Sequence, residues 1–271
     1  MQLKMLGIYD VGATAFFASQ SDQRFSYCLY VPKSIVNESK CRLLVVIHGS
    51  RRTAEVYRDL CRDFAETQNL IVLCPLFPIG IPTMEDTGGY KFLLDNGIRY
   101  DQILLSMIDE VGKKYPVDID KFYLHGFSGG GQFTNRFLYL WPERLAALSV
   151  GAPGLVTLYS HADWWVGTGN LETLFDKQMN VVAIENVPVQ IVVGEDDLDT
   201  SEITLKEDSH YWAVGANDAG ENRVLRAQRL FENWQPLVDR LQFDSVKGVG
   251  HNGFEVLPEV FEFFKVILDD S

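Results

Sequence analysis

The sequence predicts an α/β protein with a mostly parallel sheet covered by helices on both faces. Three observations carry that expectation. Short apolar runs of strand length alternate with segments whose apolar residues recur at helical spacing. Most of those runs are continuously apolar, as strands buried on both faces should be. No internal repeat, low-complexity tract or linker rich in Pro, Gly or Ser interrupts the alternation, so one domain over 1–271 is the simplest account.

Taken in chain order, alternating segments near Phe16 and from Arg24 to Val31 read as an antiparallel lead-in. Arg42 to His48 (RLLVVIH) is the first core strand, Thr53 to Gln68 a helix, and Leu70 to Leu76 (LIVLCPL) the next strand. Ile103, Leu104, Met107, Ile108 and Val111 repeat at helical spacing before a strand at Lys121 to His125 (KFYLH). Gln132 to Leu140 reads as a helix and Leu145 to Val150 (LAALSV) as a strand. Strands at Val187 to Val193 and Leu241 to Val246 follow, and Leu257, Val260, Phe261, Phe264, Ile267 and Leu268 mark a closing helix. Residues 151–186 are left as an insertion rich in Trp, Tyr and Gly, expected to form a lid or pocket wall over the carboxyl edge of the sheet.

Charge and composition exclude partners. The 271 residues carry 37 acidic against 24 basic side chains, a formal charge of −13, which repels phosphate backbones and anionic lipid headgroups. No apolar run approaches the ~20 residues that span a bilayer. The start, MQLKMLGIYD, reaches Asp10 before any long apolar stretch, so no cleaved signal is expected and the protein reads as cytoplasmic. Cys28, Cys41, Cys61 and Cys74 show no CxxC spacing and sit in apolar settings, which predicts buried reduced thiols and no metal site.

Candidate chemistry gathers at strand ends. Gly126-Phe127-Ser128-Gly129-Gly130 directly follows KFYLH and precedes a helix, the strand, sharp turn and helix context in which GxSxG exposes a serine nucleophile. A serine needs a base, and the base an orienting carboxylate. In this strand arrangement acid and histidine each lie just past a late strand. His251, after LQFDSVKGVG, fits; His210, in KEDSHYW, has no strand before it and reads as a surface or lid residue. The acid falls in Gly194-Glu195-Asp196-Asp197-Leu198-Asp199, with Asp197 the first choice and Asp199 the second. An oxyanion needs two N–H donors, for which Gly129 and Ser50 are placed; His48 reads as a structural residue ordering the turn before Ser50.

On these residues the chain resembles the α/β-hydrolases: the HG turn at His48, GFSGG around Ser128, GEDD ending at Asp197 and GH at His251 occur in that order from Arg42 onward. HGSRRTAEVYRD, GFSGGGQFTNRF, WPERLAALSVGAPG and WWVG further resemble the poly(3-hydroxybutyrate) depolymerase-like and LpqC-like esterases. The resemblance implies an eight-stranded, mostly parallel sheet with the insertion following its sixth strand, an acyl-enzyme on Ser128 and no cofactor. The expected activity is cleavage of a small ester or lactone. A same-triad hydrolase of another bond (peptidase, thioesterase or carbon–carbon hydrolase) and a non-catalytic binding protein on the same scaffold stay open.

Substrate contacts are expected from Tyr159, Trp164 and Trp165, although each could equally pack the insertion onto the sheet. Arg51 and Arg52 follow the oxyanion turn and open a helix, where the dipole disfavours positive charge. Either could meet a substrate carboxylate, or a nearby acid.

Overall fold

The computed structural model describes residues 6–36 and 41–270. Met1 to Met5, on which part of the reading of the chain start rests, lie outside the described residues.

The strands, in order, are β1 (Gly12–Ala13), β2 (Phe17–Ala18), β3 (Ser26–Val31), β4 (Arg42–Ile47), β5 (Leu70–Leu76), β6 (Leu94–Asp95), β7 (Ile98–Arg99), β8 (Phe122–Phe127), β9 (Leu145–Gly151), β10 (Val189–Gly194) and β11 (Leu241–Val246). Eight of them run side by side as β1-β3-β5-β4-β8-β9-β10-β11, with β2 also paired to β3 and β6–β7 forming a separate hairpin. From β5 to β11 every neighbouring pair is parallel, while β3 lies antiparallel to β5, as the lead-in alternation implied. The runs of β4, β5, β8, β9 and β10 are buried almost throughout. β11, at the edge, is half-exposed, which its polar Gln242, Asp244 and Ser245 allow.

Helices cover both faces. Successive residues of β8 show it directly, because strand side chains alternate sides: Phe122 meets Phe137 of α4 (Gly129–Leu140), and Tyr123 meets Phe264 of α8 (Leu257–Asp269). On the α8 side lie α1 (Ala54–Leu60) and α2 (Arg62–Gln68), with Phe64 stacked on Phe261 at 4.6 Å. The expected single helix from Thr53 to Gln68 is thus two, jointed at fully buried Cys61, whose ψ of −3° turns the second onto α8. On the α4 side lie α3 (Tyr100–Lys114) and α7 (Arg223–Trp234), the latter tied in by Trp234 Nε1 donating to Tyr139 Oη at 2.7 Å. The sequence pattern misses α7 because its buried face includes Arg223 and Arg226 beside Ala227, Leu230 and Trp234, which breaks the apolar period.

Between β9 and α7 the chain is mostly turns, apart from β10 and the five-residue helices α5 (Leu171–Phe175) and α6 (Val181–Glu185). All four cysteines are buried. Among the described residues no helix is long and apolar enough to cross a membrane, and no cluster of His, Cys, Asp or Glu could hold a metal ion.

Candidate active site

β8 ends at Phe127, and Ser128 turns the chain into α4 with φ 58° and ψ −114°, a conformation that costs an ordinary residue about 1–3 kcal/mol. The flanking glycines permit it. A Cβ on Gly126 would overlap the Gly130 backbone, and one on Gly130 would overlap the Ile47 carbonyl of β4. Strand and helix therefore pass closer than any side chain allows, and the Ser128 hydroxyl stands at the amino end of α4, where free N–H groups and the helix dipole favour negative charge.

His251 and Asp197 reach this point from the neighbouring strand ends. The Ser128 hydroxyl donates to His251 Nε2 at 3.0 Å, and His251 Nδ1–H donates to Asp197 Oδ2 at 2.6 Å. The loops after β10 and β11 are zipped together by Glu195 N–H to Val246 O and Asp196 N–H to Val249 O, each 2.9 Å, and Gly194 lies too close to the Val249 and Gly250 carbonyls to carry a Cβ. That closeness puts Asp197, 1% exposed, against the imidazole, whose other face packs on Phe127 at 4.9 Å. Asp197 Oδ1 also accepts from Arg223 Nη1 at 3.3 Å, and Arg223 bridges on to Glu202 at 3.2 Å. Asp199, the second choice for the acid, is exposed and elsewhere: its Oδ1 accepts from Ser201 N–H and Oγ–H, which hold its carboxyl below the usual range.

The turn after β4 closes the opposite side. A Cβ on Gly49 would lie 4.0 Å from Ser128 Oγ, and neither the Ser50 nor the Gly129 amide has an acceptor among the described residues. The turn is braced from several directions. His48, fully buried, donates from Nδ1 to Gly49 O at 2.8 Å and accepts at Nε2 from Phe77 N–H at 3.0 Å; burial pushes its pKa down to about 3, so it stays a neutral strut. Tyr90 Oη donates to His48 O at 3.2 Å and sits over Gly129, together with the Lys91 side chain. Arg52, at φ 55°, donates to the carbonyls of Ser50, Phe77 and Thr87 at 2.7, 3.2 and 2.7 Å and covers the Tyr90 ring. No carboxylate pairs with it among the described residues, and each of its nitrogens already meets a backbone carbonyl. Arg51 is exposed.

The aromatic candidates fall into two groups. Trp164 and Trp165 line a cavity of about 220 Å³ with Phe92, Tyr211, Trp212 and the carboxylate of Asp95. Ser128 is not among its lining residues, so this space adjoins the site instead of enclosing the serine. Trp165 is buried, with Nε1 donating to Tyr211 O at 2.9 Å, while Trp164 Nε1 donates to Phe92 O at 3.2 Å. Tyr159 is 43% exposed and outside the cavity, its backbone held by Asn233. His210 is exposed at the cavity rim, 3.6 Å from Asp95.

Tyr90, Lys91 and Arg223 also stand around the site, and the sequence pattern does not single them out. For Arg223 a signal exists: an arginine in the first turn of α7 is as unfavourable with the dipole as Arg51 and Arg52 are near α1. Tyr90 and Lys91 lie in a single 3-10 turn, Gly89–Phe92, too short to carry a sequence period, and only their tertiary contacts reveal them.

No family model matches the chain, and no curated protein matches its sequence. Solved structures do match its fold. Poly(aspartic acid) hydrolase-1 from Sphingomonas sp. KT-1 superposes with a TM-score of 0.74 at 21% identity, over 93% of this chain and 98% of that one. LpqC, a poly(3-hydroxybutyrate) depolymerase from Bordetella parapertussis, gives 0.69 at 21% identity over 89% and 83%, and an S-formylglutathione hydrolase from Agrobacterium tumefaciens gives 0.64 at 16% over 97% of each. With a parallel sheet, helices on both faces and near-complete superposition on these proteins, the chain has the α/β-hydrolase fold.

Proposed function

We propose that the protein is a serine hydrolase that cleaves carboxylic esters or lactones through an acyl-enzyme on Ser128. The observation that carries this reading is the unbroken hydrogen-bond chain from Ser128 Oγ through His251 to buried Asp197, facing two amides with no internal acceptor. In the proposed sequence the Ser128 oxygen attacks the ester carbonyl as its proton passes to His251 Nε2. Asp197 fixes the Nδ1–H tautomer and stabilises the imidazolium, and Arg223 holds the carboxylate in place. The developing oxyanion accepts from the Ser50 and Gly129 N–H groups at the amino end of α4. His251 then gives its proton to the departing alcohol, and water repeats the cycle to release the acid. No step calls for a cofactor.

Residues 151–186, joined by the segment from Glu195 to Glu221, form the proposed cover, with the cavity beside Trp164 and Trp165 taking the part of the substrate distal to the carbonyl. The esterase and hydrolase names of the structurally similar proteins agree with this chemistry. A second reading, hydrolysis of another acyl bond by the same residues, is favoured by the likeness to a protein named for hydrolysing poly(aspartic acid). A silent binding scaffold is disfavoured, since it would have no use for a strained serine.

Labelling with a fluorophosphonate probe and turnover of p-nitrophenyl acetate test the proposal. Wild type is expected to label and turn over; Ser128→Ala, folded by circular dichroism, should do neither. A folded wild type that neither labels nor turns over would sink the hydrolase reading.

A further inference from the structure

Two positive side chains near this site, Arg52 and Arg136, are partnered differently from those on the surface. Arg24, Lys114, Lys177 and Arg240 each pair with a carboxylate at 2.5–3.2 Å. Around the site Arg223 is paired in the same way, with Asp197 and Glu202, but Arg52 and Arg136 meet uncharged groups instead. Arg52 donates to three carbonyls; Arg136, fully buried in α4, donates to Thr157 Oγ1 and to the carbonyls of Lys91, Gln132 and Leu155. Neither has a carboxylate partner among the described residues. Carbonyls satisfy the donors but do not neutralise the charge, and Glu202 and Asp86, the carboxylates that act on Lys91, do so without pairing with it.

Lys91 lies within this region and has no ion pair or side-chain hydrogen bond among the described residues. Its side chain crosses the oxyanion glycine: Cε would lie 3.0 Å from a methyl placed on Gly129, and Nζ 3.5 Å from one placed on Gly88. Burial, then the nearby Arg52 and Arg136 charges, push its pKa down to about 8, with Glu202 and Asp86 acting weakly the other way. A half-buried ammonium without an anion is costly unless one arrives. The residue next to the nucleophile is where a substrate acyl group must lie, so the arriving anion is placed beside the scissile carbonyl.

We infer that Lys91 binds a carboxylate on the acyl portion of the substrate, making the site selective for half-esters of dicarboxylic acids and related polycarboxylate chains over neutral esters. This rests on the hydrolase reading for its chemistry, while the anion site itself rests on Lys91, Arg52 and Arg136. It shifts the expected carboxylate contact from Arg51 and Arg52 to a lysine, with Arg52 contributing field and not a contact.

The experiment compares kcat/KM for mono-4-nitrophenyl succinate and 4-nitrophenyl butyrate, which share a leaving group and differ at the acyl end, in wild type, Lys91→Met and Lys91→Arg. Lys91→Met is expected to lower the succinate-to-butyrate ratio at least tenfold, chiefly through KM for the succinate ester, and Lys91→Arg to restore it to within about threefold. Equal losses on both esters would assign Lys91 to the oxyanion or to folding and overturn the inference, as would an unchanged ratio. If wild type hydrolyses neither ester, the hydrolase reading fails separately, and the anion site is read by calorimetric titration of monomethyl succinate into the Ser128→Ala protein. There Lys91→Met should weaken binding at least tenfold; equal binding, or none to the lysine-bearing protein, overturns the inference.

Discussion

Two regions meet at Ser128 and are built by different rules. The strand-end loops at Gly49, Ser128, Asp197 and His251 are positioned by parallel strand pairing: β4, β8, β10 and β11 deliver them to one edge, with β9 between β8 and β10, and glycines let the backbones close. The proposed cover, residues 151–186 and 195–221, owes little to regular structure beyond the short helices α5 and α6. It is fastened by side-chain bonds to distant backbone, such as Asn135 to both polar groups of Thr157, Arg136 to Leu155 O, and Arg226 to Gly154 O and Ile203 O. Chemistry in the first region depends on single atoms held by the sheet. The second region is held by many small contacts, and the recognition proposed for it would depend on the surface they share.

The sharpest way to break this comparison lies within one strand-end loop, where two aspartates sit two residues apart. Asp197 is buried on His251 and Arg223; Asp199 is exposed on Ser201. Asp197→Asn removes the charge that holds the imidazole tautomer and should lower kcat by about 10³–10⁴ on p-nitrophenyl acetate. Asp199→Asn should stay within about twofold. A comparable loss at Asp199 would mean that position in the loop, and not contact with His251, decides the role.

The same division explains what is legible in the sequence. Ser128, His251 and the Gly129–Ser50 pair can be placed by number because strand ends announce themselves: an apolar run stops, glycines follow, and the chain order of the fold does the rest. Of Asp197 and Asp199, spacing from Gly194 favours Asp197, which is the one in contact with His251. Arg52 stands out for its charge, yet its bonds to three carbonyls cannot be foreseen, because side-chain-to-backbone bonds across 25 and 35 residues leave no local pattern. Lys91 and Tyr90 are invisible for the same reason. Trp164 and Trp165 stand out as aromatic residues but cannot be located relative to Ser128, since turns between Gly154 and Asn170 carry no period from which direction could be read.

Histidines sharpen the comparison through stability. His48 and His125 are fully buried, His125 with Nδ1 3.0 Å from Ser149 Oγ, and burial pushes both pKa values down to about 3. Unfolded, each would titrate near 6.5. Both folded values are depressed, so their contribution is complete above the unfolded pKa and is lost as pH falls toward the folded one. Between pH 6.5 and 5 each should remove stability at a limiting slope of about 1.4 kcal/mol per pH unit. Urea midpoints across that window check this; a flat profile would mean that these two buried histidines are not kept neutral.

A weaker effect is expected from unfastening the cover. Asn135→Ala strands the Thr157 amide, which its Oδ1 meets at 2.7 Å, and should cost about 1–3 kcal/mol. Because the sheet positions Ser128 independently, proteolysis within the cover should accelerate while fluorophosphonate labelling changes less than about threefold. A parallel collapse of labelling would show that the two regions are one cooperative unit.

Smallest of all is the expected response of the cavity wall. Trp212 lines the space shared with Trp164, Trp165, Phe92 and Tyr211, yet is 36% exposed, so truncating it strips apolar surface from the wall without opening a hole in the core. Trp165 would be a poorer probe, since it is buried and lies under the Arg136 guanidinium at 5.3 Å. The apolar surface that one half-covered aromatic offers a ligand is worth about 1 kcal/mol, or roughly fivefold. Trp212→Ala should therefore raise KM about two- to fivefold for an ester long enough to fill the cavity of about 220 Å³ and leave p-nitrophenyl acetate, too short to reach it, within error. An equal change for both esters would place the cavity next to the reacting carbonyl, and the division between a sheet-built chemical centre and a separately built recognition surface would fail there.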